Sequence, residues 1–218
     1  MIGEPLNTPV KAPAPIPQSY VRDNSISLSA PPKIVVKILM GTLQACSRQN
    51  AKRLTMSDIC LVSGVSRGTL YKYFKTKDNV LAALTEYLTL QFETGIHAAA
   101  DSQTDPLEKF RAVLAWHDHF SSLEAPDRLV FSEPEFSFGF LRDNFHRHTQ
   151  AMQDALSPSF DHFDSLRGQK IDRAFFSELI IRIQQSRLLL PAFGDWRQSY
   201  AQTIANLEGM LCCNCESV

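Results

Sequence analysis

The sequence predicts an all-α fold, in which an N-terminal three-helix unit with a helix-turn-helix precedes a larger helical domain. Apolar residues recur at helical spacing from Lys33 onward, and no segment alternates as a half-buried strand would. Capping residues, glycines and prolines interrupt this pattern at short intervals, which indicates many helices joined by short turns. A chain of 218 residues with 44% apolar content can bury one sizeable core and a smaller one.

The first 32 residues differ in composition from the rest of the chain. They contain seven of the twelve prolines and little periodic apolar pattern, so we predict a flexible arm over residues 1–32. The three-helix unit is expected over residues 33–80, with its first helix over 33–49, and the larger helical domain over 81–218. The arm carries no net charge, and its role stays open.

Charge is unevenly distributed, although the formal net charge of the chain is only -1. Residues 33–79 contain nine basic and two acidic side chains, whereas residues 80–218 contain eleven basic and nineteen acidic ones. Neutralisation of phosphates supplies much of the affinity of proteins for nucleic acids. A basic block beside an acidic body therefore indicates one surface that meets a polyanion.

The sequence predicts a cytoplasmic protein without a membrane span. A charged segment followed by an apolar run is missing near Met1, and no apolar run approaches the roughly 18 residues that a spanning helix needs. The five cysteines lack the spacing of a disulfide framework, so we expect reduced thiols. The role of the cluster formed by Cys212, Cys213 and Cys215 stays open.

Residues 54–78 predict two short helices joined by a tight turn. Thr55 and Asp58 match a capping box at the start of the first of these helices, and Gly64 is placed to end it. Ser66 can cap the next helix, which is expected to run to about residue 74. Five apolar residues are spaced to form a small core against the preceding helix: Ile59, Val62, Val65, Leu70 and Phe74.

The second short helix is left with a polar outward face made of Arg67, Gly68, Tyr71 and Lys72. A guanidinium, a bare backbone, a phenol and an ammonium suit a DNA major groove, where base edges offer hydrogen-bond acceptors. The run Gly-Val-Ser-Arg-Gly-Thr-Leu-Tyr-Lys-Tyr-Phe, followed by Lys-Thr-Lys-Asp, resembles the signature of the TetR-family DNA-binding domain. The resemblance covers residues 33 to about 81.

The resemblance implies specific DNA contacts. Arg67 and Gly68 occupy positions where the family touches bases, and Tyr71 and Lys72 occupy base or adjacent backbone positions. Four further residues occupy phosphate-contacting positions: Thr55, Thr69, Tyr73 and Lys77. Ser66 completes the expected DNA-facing set.

The resemblance also implies a homodimer that binds double-stranded operator DNA. The last two helices, within about residues 170–212, would form a four-helix bundle with the partner, and the operator would be palindromic. Two apolar stripes fit such a bundle: Phe175, Leu179, Ile183 and Leu190, and Ile204, Leu207 and Leu211. The implied function is a repressor released by a small, largely apolar effector. An activator, a regulator without ligand, and a helical enzyme are the alternatives.

The larger domain is where the family holds its effector, and the aromatic residues crowded there favour an apolar or aromatic ligand. Nine residues are candidates for contacting it: Trp116, His119, Phe120, Phe138, Arg142, His146, Phe176, Arg182 and Gln185.

Two other patterns suggest chemistry that the sequence does not support. Gly64-Val-Ser66-Arg-Gly68 matches the nucleophile elbow of hydrolases, but that motif needs a strand before the serine, and the preceding residues are helical. Two pairs of histidines, His117 with His119 and His146 with His148, suggest metal ligands. The members of each pair are two residues apart, so on a helix they point to different faces and cannot chelate one metal ion together. We therefore expect no catalytic residue, no cofactor and no metal site.

Overall fold

The computed structural model describes residues 28–47, 53–121, 133–189 and 196–212 of the chain. Predictions for the arm before residue 28, and those for Leu190, Cys213 and Cys215, lie outside the described residues. Over the described ranges the fold is all-α, as predicted. The helices are α1 (Lys33–Cys46), α2 (Met56–Ser63), α3 (Arg67–Tyr73), α4 (Lys77–Asp101), α5 (Pro106–Ser121), α6 (Pro134–Asp143), α7 (Phe145–Ala155), α8 (Ser157–Arg167), α9 (Arg173–Leu189) and α10 (Trp196–Cys212).

A small core holds α1, α2, α3 and the start of α4 together. Its fully buried members include Ile38 and Leu39 of α1, Ile59 of α2 and Leu70 of α3. Four of the five predicted core residues are buried here, and Val62 packs against them partly exposed. Gly41 lets α1 and α2 approach closely, because a Cβ at that position would stand 2.5 Å from Cβ of Ser63. The remaining buried members are Val35, Leu43, Ala45, Cys46, Leu54, Val65, Phe74, Val80, Leu81 and Leu84.

A larger core joins the second half of α4 to α5 and α7–α10. Phe92 and Ile96 of α4, Phe110 of α5, and Phe160 and Phe163 of α8 are buried in this core, and the Phe110 and Phe163 rings pack edge to face at 5.4 Å. α4 contributes to both cores, and with 25 residues it is about 37 Å long. The predicted division near residue 80 thus falls inside a continuous helix, so the two cores share one rigid element.

One of the two apolar stripes expected at the dimer interface is buried within the subunit. Leu207 and Leu211 of α10 are 5% and 0% exposed and belong to the larger core. Phe175 of α9 is 57% exposed, and Met210 of α10 is 61% exposed. The prediction that Leu207 and Leu211 face a partner is therefore wrong, because the α10 face that carries them packs against α5 and α8.

No helix within the described ranges is both long enough and apolar enough to cross a membrane. Among the described cysteines, Cys46 is buried, and burial raises the pKa of its thiol to about 12.

Candidate nucleic-acid interface and buried cavity

The helix-turn-helix is fixed by local hydrogen bonds that the sequence predicts. The Thr55 hydroxyl accepts from the backbone N–H of Asp58 at 3.2 Å, and the Asp58 carboxylate accepts from the Thr55 backbone N–H at 2.9 Å, which completes the capping box. Gly64 ends α2 with φ 61°, a left-handed conformation that favours glycine. The Ser66 hydroxyl then accepts from the backbone N–H of Thr69 at 3.1 Å and caps α3.

The outward face of α3 is exposed, as predicted. Arg67, Gly68, Tyr71 and Lys72 are all exposed, and Tyr71 keeps 49% of its surface. The Arg67 guanidinium donates to the Ser57 hydroxyl at 2.9 Å, which ties the start of α3 to α2. The four residues form one exposed polar patch on α3.

Gly68 has no internal reason to be a glycine. A Cβ at this position would have only Ser66 Oγ within 4 Å, at 3.9 Å, and the residue has no left-handed φ. Glycine costs about 1 kcal/mol relative to alanine within a helix. A glycine that neither packing nor backbone conformation requires is typical of close approach by an external surface.

The residues expected to contact phosphates differ in how exposed they are. Thr55 is exposed, and Thr69 is partly exposed beside Ser66. Tyr73 packs against the small core, with the Lys72 ammonium 5.7 Å from its ring centroid. Whether these residues contact phosphates stays a prediction.

Lys77 begins α4, as predicted, but its ammonium is engaged within the subunit. It lies 3.1 Å from both carboxylate oxygens of Glu133, in a pair whose side chains are 20% and 8% exposed. The same carboxylate accepts from the backbone N–H of Leu54 at 2.7 Å. Glu133 precedes α6, so one buried carboxylate connects the larger domain to the start of α4 and to the residue before the capping box.

A cavity of about 480 Å³ lies between α4, α5, α6, α7 and α9. Met40 and Leu43 of α1 also line it, so the cavity borders the small core. Its interior wall is largely aromatic. The Trp116 and Phe120 rings stack at 5.1 Å, and each lies within 5.7 Å of the Phe92 ring.

The structure brings four of the nine expected ligand contacts to this cavity: Trp116, His119, Phe120 and Gln185. The other five lie elsewhere. Phe138, Arg142 and His146 are exposed, Phe176 packs against the larger core, and Arg182 pairs with Glu178 at 2.6 Å. Phe138, Arg142, His146 and Arg182 lie on the exposed faces of α6, α7 and α9, whereas Phe176 is turned toward the larger core and not toward the cavity.

Sequence reasoning missed two histidines that line the cavity. His117 is 4% exposed and His148 is 6% exposed. The positions of both histidines within their helices could have indicated this burial. His117 follows Phe110, Val113 and Leu114 at the spacing of one buried helix face. His148 precedes buried residues of α7 at the same spacing. The predicted His119 and His146 lie two positions away and are exposed, and of these two only His119 lines the cavity.

Both cavity histidines are neutral near pH 7. Burial lowers the pKa of His117 to about 3, with smaller contributions from His148 and Arg187. Burial also lowers the pKa of His148 to about 4, although Glu93 acts in the opposite direction. Among the described residues, no group of three or more His, Cys, Asp or Glu side chains is arranged to hold a metal ion.

A family model described as bacterial regulatory proteins of the tetR family matches residues 38–84. This range contains α2, α3 and the first residues of α4. A curated relative, the nucleoid occlusion factor SlmA of Vibrio campbellii, is 31% identical over 68 residues, which make up 31% of this chain and 35% of the relative. The match therefore spans about a third of that relative's length.

The fold of most of the chain is similar to that of a solved repressor. The crystal structure of the TetR family repressor AlkX of a Dietzia strain, implicated in biodegradation of n-alkanes, aligns with a TM-score of 0.53 and 20% identity. The alignment covers 80% of this chain and 96% of the repressor. At this identity the likeness shows the fold alone.

Proposed function

We propose that this chain belongs to the TetR family of bacterial regulatory proteins and that it is a dimeric repressor released from a palindromic operator by a small, largely apolar effector. Its place of action is the cytoplasm, where bacterial operators lie. Membership of a family of regulators favours this function over that of a helical enzyme.

The outward face of α3 is the observation that carries the proposal. It presents Arg67, Tyr71 and Lys72 to solvent around Gly68, at which a side chain would meet almost nothing within the subunit. A helix with a bare backbone between donor side chains can lie deep in a major groove. Arginine is the side chain that most often reads guanine there.

Dimerisation would place two such helices about one DNA turn apart, roughly 34–36 Å, so the operator would be palindromic. The exposed apolar residues Phe175 of α9 and Met210 of α10 support an interface on these two helices. Phe176, Leu179 and Ile183 of α9 are partly buried by the larger core and can contribute their remaining surface.

The cavity supports effector control because its wall is connected to the DNA-binding unit. Phe136, Ser137 and Phe140 of α6 line the cavity. Glu133, immediately before α6, holds the Leu54 amide and the Lys77 ammonium. A ligand that displaces α6 would therefore shift the start of α2 and of α4. The ligand would then lower operator affinity by at most the ratio of its own affinities for the displaced and undisplaced forms.

Genomic operator selection tests the proposed function. The purified protein is mixed with genomic fragments at two salt concentrations, and the bound DNA is sequenced. We expect an enriched palindrome that is lost in Arg67→Ala and in Tyr71→Ala. Arg142→Ala is the matched control, since Arg142 is exposed on α6 and pairs with Asp143 at 2.7 Å, away from α3. Enrichment that depends on salt but on no sequence would reject the proposal.

The same operator distinguishes a repressor from an activator. A reporter gene placed behind the selected site should be transcribed less when the protein is present. Increased transcription would assign activation instead, with the DNA-binding part of the proposal intact.

A further inference from the structure

Six buried side-chain polar atoms have no hydrogen-bond partner among the described residues, and three of them, each on a different helix, belong to residues that line the cavity. These three are Nδ1 of His117 on α5, Oγ of Ser137 on α6 and Nε2 of His148 on α7. Their side chains are 4%, 4% and 6% exposed, and all three residues line the cavity. Buried polar atoms nearly always have partners, because burial without one sacrifices the hydrogen bonds made to water. Three such atoms around one cavity indicate a polar group on its occupant.

Other polar side chains at the inner wall already have partners. The Gln184 side-chain oxygen accepts from Arg187 at 3.1 Å, and the Gln185 amide donates to the Leu141 carbonyl at 3.4 Å. The Ser121 hydroxyl donates to a backbone carbonyl of its own helix. His117, Ser137 and His148 are therefore the described cavity residues whose buried polar atoms have no hydrogen-bond partner.

The described lining of the cavity carries no carboxylate, ammonium or guanidinium group that could pair with a charged ligand. None of the described residues that line it is Asp, Glu, Lys or Arg. The nearest charged groups are engaged elsewhere: Arg147 pairs with Glu86 and Glu93 at 2.9 and 2.8 Å, and Arg187 is 3.3 Å from Asp118. With both imidazoles neutral at pH 7, a buried carboxylate or ammonium would lose its hydration without gaining an ion pair.

The walls beside these polar atoms are aromatic rings. The Phe92 ring centroid lies 4.3 Å from that of His148 and 5.7 Å from that of His117. The stacked Trp116 and Phe120 rings extend this aromatic surface, and Gln91 and Thr94 are exposed residues of the same lining. Offset and edge-on packing between rings favours a flat, conjugated body over a flexible chain.

We propose that the cavity binds an uncharged aromatic compound with a single hydroxyl group, which lies among His117, Ser137 and His148. A hydroxyl donates one hydrogen bond and accepts two, so it matches either tautomer of each imidazole and a rotatable serine hydroxyl. The aromatic body packs against Trp116 and Phe120. This inference rests on the proposed function, because it names the class of effector for the same cavity.

Three probes that share one ring system test the ligand class: 2-naphthol, naphthalene and 2-naphthoate. Binding to the full-length protein is measured by isothermal titration calorimetry at pH 8. We expect 2-naphthol to bind at least about tenfold more tightly than naphthalene, the ratio that corresponds to one or two net hydrogen bonds. The affinity for 2-naphthol should exceed that for 2-naphthoate by a larger factor, because the described cavity lining offers no cationic side chain to the carboxylate.

His148→Leu and Ser137→Ala locate the hydroxyl. Each replaces an unpartnered buried polar group with an apolar one, so folding should be preserved. We expect each variant to bind naphthalene as the wild type does, which shows an intact cavity, and to lose most of its preference for 2-naphthol. His97→Leu is the matched control, since His97 is exposed on α4 and does not line the cavity.

The inference is overturned by equal affinity for naphthalene and 2-naphthol, by tightest binding of 2-naphthoate, by no binding of any probe, or by a preference that survives both substitutions. Operator binding without any probe separates this result from the proposed function. Intact operator binding with no probe bound rejects only the ligand class. The expected probe preferences with no specific operator would reject the repressor and leave the cavity's ligand class supported.

Discussion

Removing the charge of Glu133 should weaken the fold and strengthen the electrostatic part of DNA binding. Glu133→Gln keeps a side-chain oxygen that can accept from the Leu54 amide, now at 2.7 Å. It leaves the Lys77 ammonium, 3.1 Å away, without an anionic partner. The substitution therefore isolates the ion pair from the hydrogen bond.

The size of the effect follows from burial. Loss of one partner of a fully buried pair costs about 3–5 kcal/mol, and a hydrogen bond to a charged group contributes about 1.5–3 kcal/mol. Lys77 keeps 20% of its side-chain surface and can turn partly to water, so we expect unfolding free energy to fall by about 1–3 kcal/mol. Urea denaturation monitored by circular dichroism measures this change.

Release of Lys77 also frees an ammonium at the start of α4 for a DNA phosphate. The slope of log K against log salt should steepen by up to about 0.9 per subunit, the contribution of one added phosphate contact. Lys77→Met is the control, because it removes the ammonium itself and should not steepen the slope. An unfolding free energy within about 0.5 kcal/mol of wild type, together with an unchanged slope, would refute the role given to this pair.

Three further predictions concern other parts of the molecule. Gly68→Ala should raise unfolding free energy by up to about 1 kcal/mol and lower operator affinity at least about tenfold in a gel-shift titration; unchanged affinity would argue against a close approach of DNA to α3. Gly95→Ala should lower stability and weaken 2-naphthol binding, since its Cβ would collide with the Trp116 ring; normal calorimetric binding would contradict that packing. Stability should fall as pH drops below about 6.5, because the unfolded chain then protonates His117 and His148, while the folded chain keeps His148 neutral until about pH 4 and His117 until about pH 3. By pH 5 this protonation should lower the free energy of unfolding by roughly 2 kcal/mol for each histidine. His148→Leu should therefore make the dependence of that free energy on pH, measured by urea denaturation, less steep.

Local signals explain why the helix-turn-helix could be predicted closely. The capping box at Thr55, the left-handed Gly64 and the cap at Ser66 each involve residues at most three positions apart. Sequence spacing alone specifies such bonds. Glu133 and Lys77 are separated by 56 positions, and no periodicity within either segment indicates that they meet.

The existence of an apolar stripe on a helix was easier to predict than the surface against which the stripe packs. Leu207 and Leu211 are apolar at helical spacing, which indicates burial but not whether the burying surface belongs to the same subunit or to a partner. The structure shows the former. The cavity histidines were hard to predict for a different reason. His117 and His148 lie at the helical spacing of buried residues, but polar side chains are ordinarily assigned to the surface.

The central claim is that α3 reads sequence, and the ratio of affinities for operator and scrambled DNA at one fixed salt concentration tests it most directly. We expect the wild-type ratio to reach at least about 10³. Arg67→Ala should lower that ratio by about 5- to 150-fold, the effect of losing one base contact. Lys75→Ala, an exposed cation just beyond α3, should weaken binding to both DNAs alike. A ratio that is the same in wild type and Arg67→Ala would contradict the account.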